Sequence, residues 1–271
     1  MANRALHYNA NVLFGSELGL DPEQAILFAK SNQMVDTATP SWCQGIRDKI
    51  LPFSTQVRWD KDGKTLLTGS YAWLEEVAVH TFHFGGTRAE PCKLGAGRGQ
   101  AVRALGVALK HRCTINIIMA GILKHTYDDS ATHRLFLGYP SPHNVKMVSV
   151  LEKEPDFMAN RKTKDSIVKS DLRCLFPPKK VWGHALVPDV DQIWMYRRHM
   201  IDIWLAMGMD LQKSTPKSME LLTTTNNDDE IKEKAPMLVG FDIPEYTPLD
   251  GTELELFFEL AANIMAEHFR S

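Results

Sequence analysis

The segment from Gly121 to His133, GILKHTYDDSATH, places His125, Asp129 and His133 at successive intervals of four residues. On a continuous α-helix those intervals put all three side chains on one face within two turns. Imidazole nitrogen and carboxylate oxygen are donors that suit zinc, iron or manganese, and a helix holds them in fixed relation. The spacing points to metal coordination; the competing explanation is a polar helix face with accidental periodicity. Asp128 lies off the His125 face and reads as a carboxylate that backs the ligands or meets solvent.

Other donors lie where the same interior is within reach. His7 falls one turn into a helical stretch with apolar neighbours at Leu6 and Val12, where a lone histidine serves equally well as a core residue. Asp36 ends a predicted helix, and a carboxylate there opposes the macrodipole unless a cation compensates or it caps the following turn. His80 and His83 are three apart, on neighbouring helix faces, and either one is a ligand candidate. His184 precedes Asp189 by five residues, and Asp189 stands at a predicted helix start, where a first-turn acid needs no metal to explain it. His143 lies on a loop, while His111, His199 and His268 read as surface residues.

These positions require helices to carry them, and the sequence supplies helix signals throughout. Ala5, Leu6, Val12 and Leu13 recur at helical spacing before a break at Gly19. Asp21-Pro22-Glu23-Gln24 then offers an N-cap, a first-turn proline and a capping-box glutamine, predicting a helix from Pro22 to about Val35. Residues 52–70 read as an exposed turn between short extended pieces, and helical spacing returns from Tyr71 to Phe84. Gly95-Ala96-Gly97-Arg98-Gly99 has the look of a phosphate cradle but follows no strand, so it reads first as a loop entering a helix. The longest helical stretch spans about Gln100 to Leu135, with a break near Arg112–Thr114. Residues 138–146 form a proline-rich loop and 152–170 a solvated helix or linker. A helix follows Pro188 through Trp194, Tyr196 and Trp204; residues 212–236 read as a polar loop or insertion; and Thr252–Phe269 forms a closing amphipathic helix. The expected fold is all-α, with residues 1–271 forming a single metal-binding helical domain around a buried His/Asp site.

Composition bounds the partners. The chain has 271 residues, 44% of them hydrophobic, enough for a sizeable core, and ten histidines. With 31 Lys+Arg against 33 Asp+Glu, the net charge of −2 gives no broad basic face, so no stable nucleic-acid complex is expected. The four cysteines form no CxxC pair and read as reduced thiols. No apolar run approaches the ~18 residues of a transmembrane helix, and the N-terminus lacks the apolar core of a signal peptide, which together lead to an expectation of a cytoplasmic protein. Oligomeric state is not legible.

Taken in chain order, His7, Asp36, His80 or His83, His125-xxx-Asp129, His133, and His184 with Asp189 resemble the ligand series of the zinc-dependent phospholipase C and single-strand nuclease superfamily. HxxxDxxxH is the specific part of the likeness, which spans roughly residues 1–190. The stretch HYNANVLFGSELGLDPEQAILFAKSNQMVD also resembles a family of bacterial and fungal proteins with the same His, Asp and HxxxD landmarks, a closer likeness that brings little function with it. The superfamily resemblance implies an all-α fold around one to three divalent ions, zinc above all, with iron or manganese as alternatives. It implies that Asp36, one of His80 and His83, His125 and Asp129 hold one ion, while His133, His184 and Asp189 hold a second, with Asp129 reaching towards a third near His7. It also implies that Asp36 serves as proton acceptor beside the attacking water.

Three features depart from that pattern. This chain has no N-terminal Trp to bind zinc through its amine and carbonyl, and no secretory signal. The His184–Asp189 spacing is longer than the superfamily's, and the Asp129–His133 spacing is shorter. The expected activity is hydrolysis of a phosphoester or similar small substrate by metal-activated water. The alternatives are an iron- or manganese-dependent oxygenase or lyase built on the same cage, and a non-enzymatic helical binding module. Tyr8, Trp42, Phe82, Phe84 and Tyr127 are candidates to line a pocket, though each is equally a core residue.

Overall fold

The computed structural model describes residues 4–36, 81–82, 90, 92–93, 95–133, 189–225 and 227–270. A π-helical turn, Ala5–Ala10, runs directly into helix α1 (Asn11–Glu17). There follow α2 (Pro22–Asp36), α3 (Arg98–His111), α4 (Thr114–His133), α5 (Asp189–Ala206), α6 (Lys217–Thr224), α7 (Asp228–Val239) and α8 (Gly251–Arg270). The described residues contain no strand, and the architecture is all-α. None of these helices is long and apolar enough to cross a membrane.

Local chemistry accounts for the helix ends. At the start of α2, Asp21 Oδ1 accepts the Gln24 N–H at 2.9 Å and Gln24 Oε1 accepts the Asp21 N–H at 3.3 Å, forming the reciprocal capping box that the sequence predicts. The predicted break in the long helical stretch falls at Arg112, whose left-handed backbone (φ 47°) terminates α3 before Thr114 opens α4. The glycine string behaves as a loop entering a helix, with Gly97 at φ 79° immediately before α3.

Helix α4 is the central element. It packs against α2, α3, α5 and α8, and nearly every described side chain from Ile117 to Ser130 is buried or half-buried. A helix buried on all sides usually carries apolar residues throughout; here its second half carries Lys124, His125, Thr126, Asp128, Asp129 and Ser130 into the interior. One apolar cluster joins the N-terminal helices to α3, α5, α6 and α7, and a second joins Met34, Val35, Phe82, Ile118 and Ile122 to α8. Gly121 makes the α2–α4 approach feasible: a Cβ at that position would lie 2.5 Å from the Phe28 carbonyl oxygen and 2.7 Å from Ser31 Cβ. That close contact, one turn from His125 and one turn from Asp36, sets the distance between the two helices that carry the polar cluster.

Two expectations are corrected. Residues 212–236, expected as a polar loop or insertion, carry most of helices α6 and α7, which bury Ser218, Leu221, Leu222, Ile231 and Ala235. Few apolar positions suffice there because both helices are short and bury only one narrow stripe. His199, expected at the surface, is 2% exposed, because it shares a face of α5 with Tyr196, Met200 and Ile203. Of the two readings of Asp128, a carboxylate that backs the ligands or one that meets solvent, its full burial fits the first. Of the cysteines that can be placed, Cys113 is exposed and Cys92 buried, with burial and the nearby Asp129 charge pushing the Cys92 thiol up to about 12.

Candidate metal centre

Three helical segments converge on one buried cluster through four pairs of residues four apart: His7 and Asn11 from the N-terminal turn and α1, Asn32 and Asp36 from α2, and Lys124 and Asp128 with His125 and Asp129 from α4. On a regular helix this spacing stacks two side chains on one face. Each pair therefore delivers two polar groups to the same interior point. His7 sits in the π-helical turn, whose widened backbone is a common device at functional sites, and Asn11 Nδ2 donates to the His7 carbonyl at 3.2 Å.

His7, Asp36, His125 and Asp129 bring one donor atom each to within 4.8 Å of all the others. Their side chains are at most 2% exposed. The two imidazoles stack with centroids 4.4 Å apart, and both turn Nε2 towards the carboxylates. His7 Nε2 lies 3.2 Å from Asp129 Oδ1 and 3.7 Å from Asp36 Oδ2. His125 Nε2 lies 3.2 Å from Asp129 Oδ2 and 3.6 Å from Asp36 Oδ1. Each carboxylate thus offers a different oxygen to each imidazole.

Donor type, spacing and charge all fit a divalent ion. Bonds of about 2.0–2.2 Å to nitrogen and oxygen put tetrahedral ligand atoms about 3.3–3.6 Å apart, close to the separations found here. Two carboxylates and two neutral imidazoles balance a charge of +2, whereas two carboxylates buried without a counter-charge cost several kcal/mol each. Without an ion, a proton is the nearest substitute. Burial alone lowers the His7 pKa, but the charges of Asp36 and Asp129 outweigh it and raise the group to about 8. His125 moves the other way, because its burial outweighs the pull of Asp129 and Asp36 and the neighbouring His7 repels a second proton.

A second layer fixes the His7 ring. Asn32 Oδ1 lies 2.7 Å from His7 Nδ1 and is placed to accept its proton, so that Nε2, which faces the carboxylates, is the nitrogen left to coordinate an ion. Asn32 Nδ2 donates to Asp128 Oδ2 at 3.3 Å, which defines the orientation of its amide. Lys124 Nζ donates to both Asp128 oxygens at 2.8 Å, with both side chains 0% exposed. Burial lowers the Lys124 pKa, and the Asp128 charge opposes that shift. The Lys124 ammonium also lies 4.8 Å from the Phe14 ring centroid and 5.7 Å from that of Tyr196. The Tyr196 hydroxyl reaches the edge of His7, 2.5 Å from Nδ1 and 2.8 Å from Nε2, and burial holds its phenol well above the ordinary range.

The structure therefore brings together His7, Asp36, His125 and Asp129 from the set expected as ligands. His80, His83 and His184 lie outside the described residues, although Thr81 and Phe82 between the first two are buried. His133 closes α4 and Asp189 opens α5 in backbone position; their side chains lie outside the described residues. The supporting residues Asn11, Asn32, Lys124 and Tyr196 were not expected. The four-residue pairings of Asn11 with His7 and Asn32 with Asp36 were available signals for the first two.

Comparison of the chain with protein-family models, with curated proteins and with solved structures gives no match. The geometry of the cluster is accordingly what defines the site: a buried two-histidine, two-carboxylate centre in an all-α protein, able to hold a metal ion.

Proposed function

We propose that the protein is a metal-dependent hydrolase acting on a phosphoester or similar small substrate, with zinc as the first choice of ion. The observation that carries this reading is the convergence of His7, Asp36, His125 and Asp129 in a buried site, with charge and spacing suited to a divalent ion. When bound, such an ion supplies Lewis-acid activation of water and stabilises the charge of a phosphoester transition state. The chain's own residues hold and orient. Asn32 keeps His7 in the tautomer that presents Nε2, Asp128 fixes Asn32, and Lys124 neutralises Asp128 so that its charge does not compete at the centre. Asp36, with its two oxygens divided between the imidazoles, is the carboxylate we assign as proton acceptor. The near-neutral chain favours a small substrate over polynucleotide.

A second reading, an iron- or manganese-dependent oxygenase or lyase, is favoured by one feature: the four converging donors are all nitrogen and oxygen, which suit those ions as well as zinc. The test compares hydrolysis of an aryl phosphodiester by zinc-loaded protein with oxygen consumption by ferrous protein. Phosphodiester turnover lost in Asp129→Ala supports the hydrolase. Oxygen consumption without phosphodiester turnover supports the second reading, and neither activity in metal-replete protein overturns both.

A further inference from the structure

Helix α5 supplies none of the four converging donors, yet it places one polar side chain directly beside them. Tyr196 is 4% exposed and meets His7 edge-on, with ring centroids 5.2 Å apart and planes at 80°. Its hydroxyl stands 2.5 Å from His7 Nδ1 and 2.8 Å from Nε2, and among the described residues these two nitrogens are its hydrogen-bond partners. The buried Ile193 and Met200 flank it along α5, and the Lys124 ammonium lies 5.7 Å from its ring centroid. The phenol is therefore held in the interior with its oxygen next to Nε2, the His7 nitrogen that faces Asp129 at 3.2 Å.

Once an ion is bound, both His7 nitrogens have other duties. Nδ1 directs its proton to Asn32 Oδ1 at 2.7 Å, and Nε2 gives its lone pair to the ion. The first is a donor already engaged and the second an occupied lone pair, so neither accepts a proton from the phenol. A phenol with an ordinary pKa near 10 keeps that proton at neutral pH. Buried donors are nearly always satisfied, so the Tyr196 O–H of a loaded centre requires a different acceptor. The substrate of a phosphoester hydrolase brings such acceptors to this point, since its phosphoryl oxygens carry lone pairs and negative charge.

We propose that the Tyr196 hydroxyl is the hydrogen-bond donor that meets a phosphoryl oxygen of the substrate. The inference rests on the metal-dependent hydrolase reading and adds to it the residue that recognises the phosphoryl group. A neutral donor leaves the charge balance of the two carboxylates and a divalent ion undisturbed, and its bond strengthens as charge builds on the oxygen it faces. The role transfers no proton: the phenol stays a phenol throughout.

Calorimetric titration of the zinc-loaded full chain with inorganic phosphate, beside chelator competition for the zinc itself, tests this. The wild type is expected to hold zinc and to bind one phosphate per chain. Tyr196→Phe keeps the ring against His7 and is expected to hold zinc no more weakly, while its phosphate affinity falls about tenfold or more. Equal phosphate affinity in wild type and Tyr196→Phe, or no phosphate binding by zinc-loaded wild type, overturns the proposal and leaves the metal centre standing. Zinc affinity that falls in Tyr196→Phe also overturns it, because the hydroxyl then serves the ion or its carboxylates. A wild type that holds no zinc overturns the metal reading and the proposal with it. If Tyr196→Phe does not fold, Tyr196→Met decides by the same two affinities.

Discussion

Replacing Lys124 separates what the buried ion pair does for stability from what it does for the centre. Lys124 is 0% exposed and donates to both oxygens of Asp128 at 2.8 Å. In Lys124→Met the carboxylate stays buried with only the amides of Asn32 at 3.3 Å and Asn11 at 3.5 Å to hold it. Breaking one side of a buried pair costs about 3–5 kcal/mol, a large share of the ~5–15 kcal/mol that a domain has. Urea unfolding should show that loss as a lower midpoint with little change in slope. The double variant Lys124→Met/Asp128→Leu removes both charges at similar volume, and such replacements are often neutral or stabilising. It also removes the acceptor that orients Asn32, and through it His7. Loss of such outer support typically weakens metal binding about 10–100-fold. The expected pattern is therefore a destabilised single variant and a double variant with recovered stability but weakened metal affinity, measured by competition with a chromogenic chelator. A single variant that loses less than ~1 kcal/mol, or a double variant with wild-type metal affinity, refutes the assigned roles.

Two further outcomes follow from packing and titration. Gly121→Ala places a Cβ 2.5 Å from the Phe28 carbonyl oxygen, so α2 must shift away from α4; overpacking of this kind costs about 1–3 kcal/mol, and metal affinity should fall with it because Asp36 moves with α2. A Gly121→Ala protein with unchanged unfolding midpoint and metal affinity contradicts that account. Burial above all, with the charges of Lys124 and Arg198, lowers His199 from the ordinary histidine value of 6.5 to about 4 in the folded chain, against the pull of Asp128 and Asp202. Between these values the unfolded chain binds the extra proton, so the stability contributed by this group is complete above pH ~6.5 and is lost as pH falls towards 4, by about 3 kcal/mol in all. Unfolding curves of wild type and His199→Phe across that window should diverge by this amount; parallel pH dependence would show that His199 is not the titrating group.

Most of the helical scaffold was legible because its signals are local. The Asp21/Gln24 capping box, the left-handed stop at Arg112 and the amphipathic α8 depend on residues within one or two turns. The His125–Asp129 pair was legible for the same reason. What could not be read was which side of a polar helix faces inward. Asp128 and Lys124 resemble an ordinary solvent-exposed pair four apart, and only the packing of α2, α5 and the N-terminal turn around α4 buries them. His199 was misjudged in the same way, although its place among Tyr196, Met200 and Ile203 was a usable sign. Helices α6 and α7 escaped notice because their buried stripe, Leu221, Leu222, Ile231 and Ala235, is thin within a charged stretch. The joining of His7 to a cluster over a hundred residues away is a tertiary fact with no local trace.

The most direct measurement is elemental analysis of the purified chain after reconstitution with divalent metal and exhaustive dialysis. The account requires at least one tightly held ion per chain in the wild type and its loss in both His125→Ala and Asp129→Ala, with helical content preserved. Sub-stoichiometric metal in the wild type, or full metal in both variants, would contradict it.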